Sequence, residues 1–221
     1  MQVQFEHGSA RRVVEQLDQP LARYALTLDR APVRLTVDPD YDVLRYLDPS
    51  EQPPSLSQLF GGTTWLVVPV AAPAEELAAW HRLAEAWQGR FPQLKVVDDT
   101  QAGSVPAGAN RLLLGWDNRA LDDALRKTLS GPAATLQADA LLAGGQRYAR
   151  NGAAVVRVAT DAKGVSTGFI GAAGAALIDA LARKLPHYGS YGVLAFAAAG
   201  AQNLYKAVPD NPNSRMSRDL K

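Results

Sequence analysis

The chain has 221 residues, of which 47% are hydrophobic, so it can form one full core or a domain of about 150 residues with a smaller module. It has 23 Lys and Arg against 22 Asp and Glu with no block of like charge, which excludes the basic surface of most nucleic-acid-binding proteins. The absence of cysteine excludes disulfides and thiolate metal sites. No apolar run approaches the roughly 20 residues of a membrane span, and the N-terminus does not resemble a signal peptide.

Residues 1–48 show apolar residues at alternate positions in short runs, separated by turn-forming Asp and Pro. This period is typical of strands with one buried face, and it predicts a small antiparallel β-meander. Two or three strands are hardly stable alone in water, so we expect this module to pack on the next domain or to complete a sheet that begins upstream. The runs are Val3 and Phe5, Val13 and Leu17, Tyr24 to Leu28, and Val33 to Val37.

Three acids follow one another at alternate positions, Asp38, Asp40 and Asp42. A calcium loop of this type needs a bidentate Glu at its twelfth position, and Pro49 stands there. We therefore expect no metal site, and we interpret the acids as caps of a turn and of a short helix. Residues 49–62 are rich in proline and are interpreted as a linker to the second domain.

From residue 63 to 221 the pattern changes to strands and helices in alternation. Short apolar runs without alternation indicate strands covered on both faces, and the 73–88 stretch has an apolar stripe typical of an amphipathic helix. The order predicts a three-layer α/β/α domain with a mostly parallel sheet. Residues 136–148 are ambiguous and could form an inserted hairpin. The predicted strands are 65–70, 94–97, 111–115, 154–158, 165–170 and 191–197, and the predicted helices 73–88, 120–129 and 174–185.

Complete catalytic motifs are not found. His7, His81 and His187 each lack a second histidine four residues away, so the H-E-x-x-H zinc motif is missing. The G-x-S-x-G turn of α/β-hydrolases is missing as well. We expect no catalytic residue, metal or cofactor in this chain.

A glycine run, Gly168, Gly171 and Gly174, lies between a predicted strand and a predicted helix. A dinucleotide pyrophosphate binds at such a helix N-terminus, which suggests a nucleotide or small-molecule site. The spacing, however, is G-x-x-G-x-x-G. The alternative is that these small residues allow the helix to pack closely on the sheet.

A polar aromatic loop precedes the last predicted strand and contains His187, Tyr188, Ser190 and Tyr191. It is the candidate functional loop, and a hydrolase using His187 and Ser190 is one hypothesis. Ligands usually bind at the opposite, carboxyl edge of parallel strands. A structural loop with hydrogen bonds to the backbone is therefore the competing interpretation.

Two segments resemble a known family. The run Leu185-Pro-His-Tyr-Gly-Ser-Tyr-Gly-Val-Leu-Ala-Phe196, with Asn203-Leu-Tyr-Lys206 and Asn213-Ser214, is similar to the C-terminal segment of bacterial envelope proteins that carry an aminopeptidase-N-like zinc peptidase domain. The run Val37 to Arg45, with Glu51 to Pro54, resembles the end of their β-rich domain.

The resemblance implies a non-catalytic C-terminal region that packs on or partners a peptidase domain, in the periplasm or cell envelope. The zinc ligands would lie upstream, so no catalytic residue is carried over. This chain departs from the family pattern at Ser190, Gly192, Ala197 and Ala207, which replace Lys, Ser, Glu and Gly. A role that depended on those polar residues would be lost in this chain.

Overall fold

A computed structural model describes residues 1–40, 42–48, 51–209 and 214–220. The α-helices are α1 (Leu56–Gly61), α2 (Ala74–Arg90), α3 (Asp123–Thr128) and α4 (Ala175–Lys184). The strands are β1 (Gln2–Phe5), β2 (Ala10–Arg12), β3 (Pro32–Thr36), β4 (Thr64–Val68), β5 (Leu94–Asp98), β6 (Asn110–Leu114), β7 (Ala134–Leu136), β8 (Ala140–Ala143), β9 (Gln146–Ala149), β10 (Ala153–Thr160), β11 (Ser166–Gly171), β12 (Val193–Ala197), β13 (Asn203–Ala207) and β14 (Ser217–Asp219).

The chain divides into two compact units. Unit 1 comprises Met1–Gln52 together with Asn211–Lys221, and unit 2 comprises Pro53–Asp210. Part of the stretch predicted as a linker is helix α1, whose Leu56, Leu59 and Phe60 are buried. Pro49 of that stretch lies outside the described residues, as do Tyr41 and Asn213 of the segments that resemble the peptidase family. None of the helices in the described part of the chain is both long and apolar enough to span a membrane.

Unit 1 is built on a four-stranded sheet in the order β14-β3-β1-β2, and all its pairings are antiparallel. The order is not that of the predicted meander, because β3 pairs with β1 and not with β2. The runs 13–17 and 24–28 are not strands, although their residues alternate. Alternation describes two faces of a chain, but a strand also needs a hydrogen-bonded neighbour along its length. Val13 exchanges backbone hydrogen bonds with Met1, but no strand pairing of the sheet includes the rest of these runs. Strand β14 comes from the other end of the chain and pairs with β3.

Unit 2 contains a seven-stranded sheet in the order β13-β12-β10-β11-β6-β4-β5. The pairings among β11, β6, β4 and β5 are parallel, whereas those among β13, β12, β10 and β11 are antiparallel. The prediction of a mostly parallel sheet was therefore wrong. The physical reason is the short turn at residues 161–165 between β10 and β11, because so tight a connection joins only antiparallel neighbours. Asp161 Oδ1 closes this turn by accepting from the N–H groups of Lys163 and Val165.

The two faces of the large sheet are covered differently, and this corrects the predicted three layers. Helices α1, α2 and α4 pack on one face, around Leu66, Leu112 and Val156. The opposite face carries the neighbours of these residues in the sequence, Val67, Leu113 and Val155. It is covered by the small antiparallel sheet β7-β8-β9 and by the segment around α3. The ambiguous stretch 136–148 thus forms most of a second β-layer where the α/β/α arrangement would have helices.

Candidate functional site

The carboxyl edge of the parallel strands is where the fold would hold a ligand. Strand β4 lies between β5 and β6: the chain passes from β4 to β5 on one side and then continues to β6 on the other side of β4. Ligands bind in the crevice at a point where the strand order reverses in this way. The side chain of Asn118 fills this position. Its Nδ2 donates to the carbonyl oxygens of Val67 at 2.8 Å and Leu114 at 3.0 Å, so it bridges β4 and β6. Because Oδ1 also accepts from the N–H of Ala120, this buried amide is occupied by internal hydrogen bonds.

The N-terminus of helix α4 lies at the same edge of the sheet and is occupied by a carboxylate. Glu76 Oε1 accepts a hydrogen bond from the N–H of Gly174 at 2.9 Å. A phosphate at this helix N-terminus would compete for the same donor and meet the negative charge of Glu76. The contact therefore closes the position that the glycine run suggested for a nucleotide.

An ion pair completes the polar groups at this edge. Arg150 Nη1 donates to Asp117 Oδ1 at 2.7 Å, and Nη2 donates to Oδ2, so the guanidinium and carboxylate meet in a two-point contact. The hydrogen bond to Asp117 raises the pKa of Arg150, against the opposing effect of burial, and the charge of Glu76 adds to it. Arg150 is thus a permanently charged group that is already paired.

The glycine run has mixed surroundings. A side chain at Gly168 would collide with Leu59 and Leu112, and one at Gly171 would collide with Trp116. Gly174 has open space around it and a φ of 88°, which is the left-handed region that favours glycine. Two of the three glycines therefore serve close packing, and the third allows the turn into α4.

The loop before β12 connects unit 2's first helix to its sheet. Gly189 O accepts from the N–H of Ser57 at 2.8 Å and from Ser57 Oγ at 2.7 Å, and Tyr191 O accepts from the N–H of Leu56 at 3.1 Å. The ring of Tyr188 packs edge-on against Phe196 with centroids 5.2 Å apart. These contacts at the start of α1 favour the structural interpretation of the loop.

His187 and Ser190 are not assembled into a catalytic pair. Both side chains are exposed, and neither makes a hydrogen bond within the part of the chain that is described. The strand register also places this loop and Gly174 at opposite ends of the sheet. The loop precedes Val193, which pairs with Arg157 towards the end of β10, whereas Gly174 follows Gly171, which pairs with Val155 towards the start of β10. The two predicted sites are therefore separate.

Several acidic residues of unit 1 form ion pairs. Arg45 Nε donates to Asp38 Oδ2 at 3.0 Å and its Nη1 to Glu51 Oε2 at 2.6 Å, while Arg12 lies 2.6 Å from Asp40. Burial raises the pKa of Asp38, but hydrogen bonds from the Val43 N–H and Arg45 outweigh it and hold the pKa below its ordinary value. Across residues 1–40, 42–48, 51–209 and 214–220, no three His, Cys, Asp or Glu side chains are grouped so that they could hold a metal ion.

A groove of about 460 Å³ lies in unit 1 beside the end of β2. Its walls are largely apolar and its polar residues are charged. The apolar residues are Met1, Val13, Val14, Leu17, Tyr24, Val37, Pro39, Val43 and Met216, and the charged ones are Arg12, Glu15, Asp38, Asp40, Asp42 and Arg45. This groove defines the candidate functional site of unit 1.

Unit 1 also holds most of the exposed large apolar side chains among the described residues. Leu44 is 103% exposed, Val14 94% and Tyr46 90%. The others in unit 1 are Leu17, Leu21, Tyr24, Val37, Val43 and Leu220, against Val70, Leu204 and Val208 in unit 2. Exposed apolar residues concentrated in one part of a protein indicate an interaction surface.

Four features were not predicted from the sequence: Glu76, Asn118 and Arg150 at the carboxyl edge, and the groove of unit 1. Asp117 and Asn118 follow directly after β6, so the rule that polar residues at strand ends are functional candidates would have selected them. Nothing in the sequence pairs Arg150 with Asp117, because the contact spans 33 residues and depends on the β7-β8-β9 sheet. The groove could not be predicted from the sequence either, since β14 brings Met216 to it from the other end of the chain.

No family model and no curated protein matches the chain. The description of these sites therefore depends on the contacts of their own residues.

Proposed function

We propose that this chain is a non-catalytic accessory region of an aminopeptidase-N-like envelope protein, and that unit 1 attaches it to a peptidase-bearing partner. The observation that carries the proposal is the concentration of exposed apolar side chains in unit 1, led by Leu44, Val14 and Tyr46. Such residues gain free energy when a partner covers them, at about 25 cal/mol per Å² of apolar surface removed from water.

The contacts of unit 2 support the non-catalytic part of the proposal. Asn118 fills the crevice between β4 and β6, and Glu76 occupies the N-terminus of α4. The loop that resembles the peptidase family uses Gly189 and Tyr191 to hold α1. In each place, groups that could act on a substrate are used for internal hydrogen bonds.

Photo-crosslinking tests the attachment. p-Benzoylphenylalanine in place of Leu44 should give an adduct in cells of the native host, and mass spectrometry should find an H-E-x-x-H peptide in it. The matched control replaces Leu204, an exposed apolar residue of unit 2. Equal yields at the two positions, or an adduct without a zinc-peptidase motif, would contradict the proposal.

Zinc content and hydrolysis of aminoacyl-nitroanilides test the absence of catalysis. The purified chain should hold no stoichiometric zinc and should not turn these substrates over. Stoichiometric zinc together with turnover would overturn the non-catalytic assignment.

A further inference from the structure

We propose that the groove of unit 1 binds an extended polypeptide segment that carries apolar side chains next to Lys or Arg, and that this segment pairs with the edge of β2. The inference rests on the proposed function, in which a partner protein supplies the segment. It specifies the chemistry and the geometry of that attachment.

The size and walls of the groove suit apolar side chains. Its volume of about 460 Å³ lies within the usual range for binding sites, about 300–1,000 Å³. Val14, Leu17 and Val43 line it and are 94%, 66% and 59% exposed. These side chains therefore have most of their surface still available to an occupant.

The charges around the groove select a basic occupant. Four acids, two arginines and the N-terminal ammonium of Met1 line it, which leaves an excess of one negative charge. Asp40 is paired with Arg12, and Asp38 with Arg45, whereas Asp42 and Glu15 have no ion pair within the described residues. A Lys or Arg of the bound segment would meet these two carboxylates, and an acidic segment would be repelled.

The backbone at the groove can accept another strand. Met1 and Val13 exchange both of their backbone hydrogen bonds, and the bonding alternates along an antiparallel pair. Arg12, opposite Gln2, therefore directs its N–H and C=O away from β1. Because β2 is at the edge of the sheet and its three residues are exposed, a peptide strand can add there.

The test uses two blocked peptides with the same apolar centre, acetyl-Lys-Val-Leu-Val-Leu-Lys-amide and its counterpart with Glu at both ends. We expect the basic peptide to bind the full chain at least about tenfold more tightly in isothermal titration calorimetry, with the difference reduced by salt. Asp42→Lys should reverse the preference, because Asp42 is exposed and unpaired. Glu85→Lys on the exposed face of α2 is the matched control and should change nothing.

A third peptide, with N-methyl groups on alternate residues of the basic sequence, tests the strand pairing and should lose most of the affinity. Binding that the N-methyl groups leave intact would overturn the pairing with β2. Failure of both unmodified peptides to bind, or an unchanged preference in Asp42→Lys, would overturn the proposal. A dimer that Asp42→Lys abolishes would instead identify a second copy as the occupant. None of these outcomes depends on a peptidase, so they are distinct from failure of the crosslinking test.

Discussion

Unit 2 and unit 1 differ in how completely they bury their apolar residues. Unit 2 covers both faces of its large sheet and encloses Trp80, Trp87, Phe169 and Phe196 almost fully. Unit 1 buries Val3 and Phe5 but leaves a groove and several fully exposed apolar side chains. Buried apolar contacts therefore stabilise unit 2 internally, whereas unit 1 exposes an apolar surface that a partner would cover.

The small size of the sheet in unit 1 explains the difference. Unit 1 has four strands of three to five residues, and residues 13–31 contribute no strand to its sheet. A sheet this small has little apolar surface to bury, so its stability depends on what packs against it. Substitutions in the two units should therefore differ in how much they destabilise the chain.

The largest effect is expected from Trp87→Ala in unit 2. Trp87 is 1% exposed, and its ring packs edge-on against that of Phe60 with the ring centroids 5.0 Å apart. Its Nε1 donates a hydrogen bond to Ala182 O at 2.8 Å. Its removal should lower the free energy of unfolding by about 3–5 kcal/mol, measured by urea denaturation. Tyr46→Ala in unit 1 is the control and should change it by less than about 0.5 kcal/mol. Similar losses in both variants would remove the contrast.

Asn118→Ala should cost about 2 kcal/mol, because it leaves the buried carbonyls of Val67 and Leu114 without their donor. Asn203 offers a matched control, since its Nδ2 also donates to two carbonyls, those of Ala195 and Tyr205, but it is only half-buried. Asn203→Ala should cost less because water can replace the amide. An Asn118→Ala chain with unchanged urea midpoint would contradict the bridging role.

Asp38→Asn should cost unit 1 about 1–2 kcal/mol at pH 7 through weakened charged hydrogen bonds. Because the pKa of Asp38 in the folded chain lies below the ordinary 3.8, its ionised form contributes stability above that value, and this is lost as the pH falls through the folded pKa. Hydrogen-exchange protection of β1 and β3 should therefore fall less on acidification in the variant than in the wild type.

Asp139→Asn is the control for that experiment, because Asp139 forms an exposed ion pair with Arg147 in unit 2. It should leave the hydrogen-exchange protection of unit 1 unchanged. Equal acid sensitivity in the wild type and in Asp38→Asn would show that another group controls it.

The smallest effect is expected from His187→Ala. His187 is exposed and makes no hydrogen bond within the described residues, so the free energy of unfolding should change by less than about 0.5 kcal/mol. The adjacent Tyr188→Ala should cost about 2 kcal/mol, because its ring packs on Phe196. Comparable thermal unfolding of the two variants would contradict the structural interpretation of this loop.

Much of unit 2 was predictable because its signals are local. The stripe of Leu77, Trp80, Leu83 and Trp87 predicted α2, and the apolar runs predicted β4, β5, β6 and β10 within a few residues. The layer arrangement was not predicted, and neither was the antiparallel pair that the short turn at Asp161 joins. Which face the β7-β8-β9 sheet covers depends on contacts between residues far apart in sequence, and no local pattern contains that information.

The candidate site was less predictable than the fold. Glycine spacing marked Gly168 and Gly174 but could not distinguish packing from binding, which depends on Leu59, Trp116 and Glu76 being close in space. The His187 loop was singled out by residue types alone, and its contacts with Ser57 and Leu56 cross more than 130 residues. Chemistry depends on such distances, so residue types can suggest a site without assembling it.

Helix α2, several strands of unit 2, the lack of thiol chemistry and the even balance of charge could be derived from the sequence alone, because they follow from composition and from short-range periodicity. Long-range packing set the other features. Helices cover one face of the large sheet and strands the other, Asn118 and Glu76 occupy the ligand positions, and strands from both ends of the chain form unit 1 with its groove. The reason is physical: each of these features requires residues distant in sequence to meet, and their meeting is set by the packing of the whole chain.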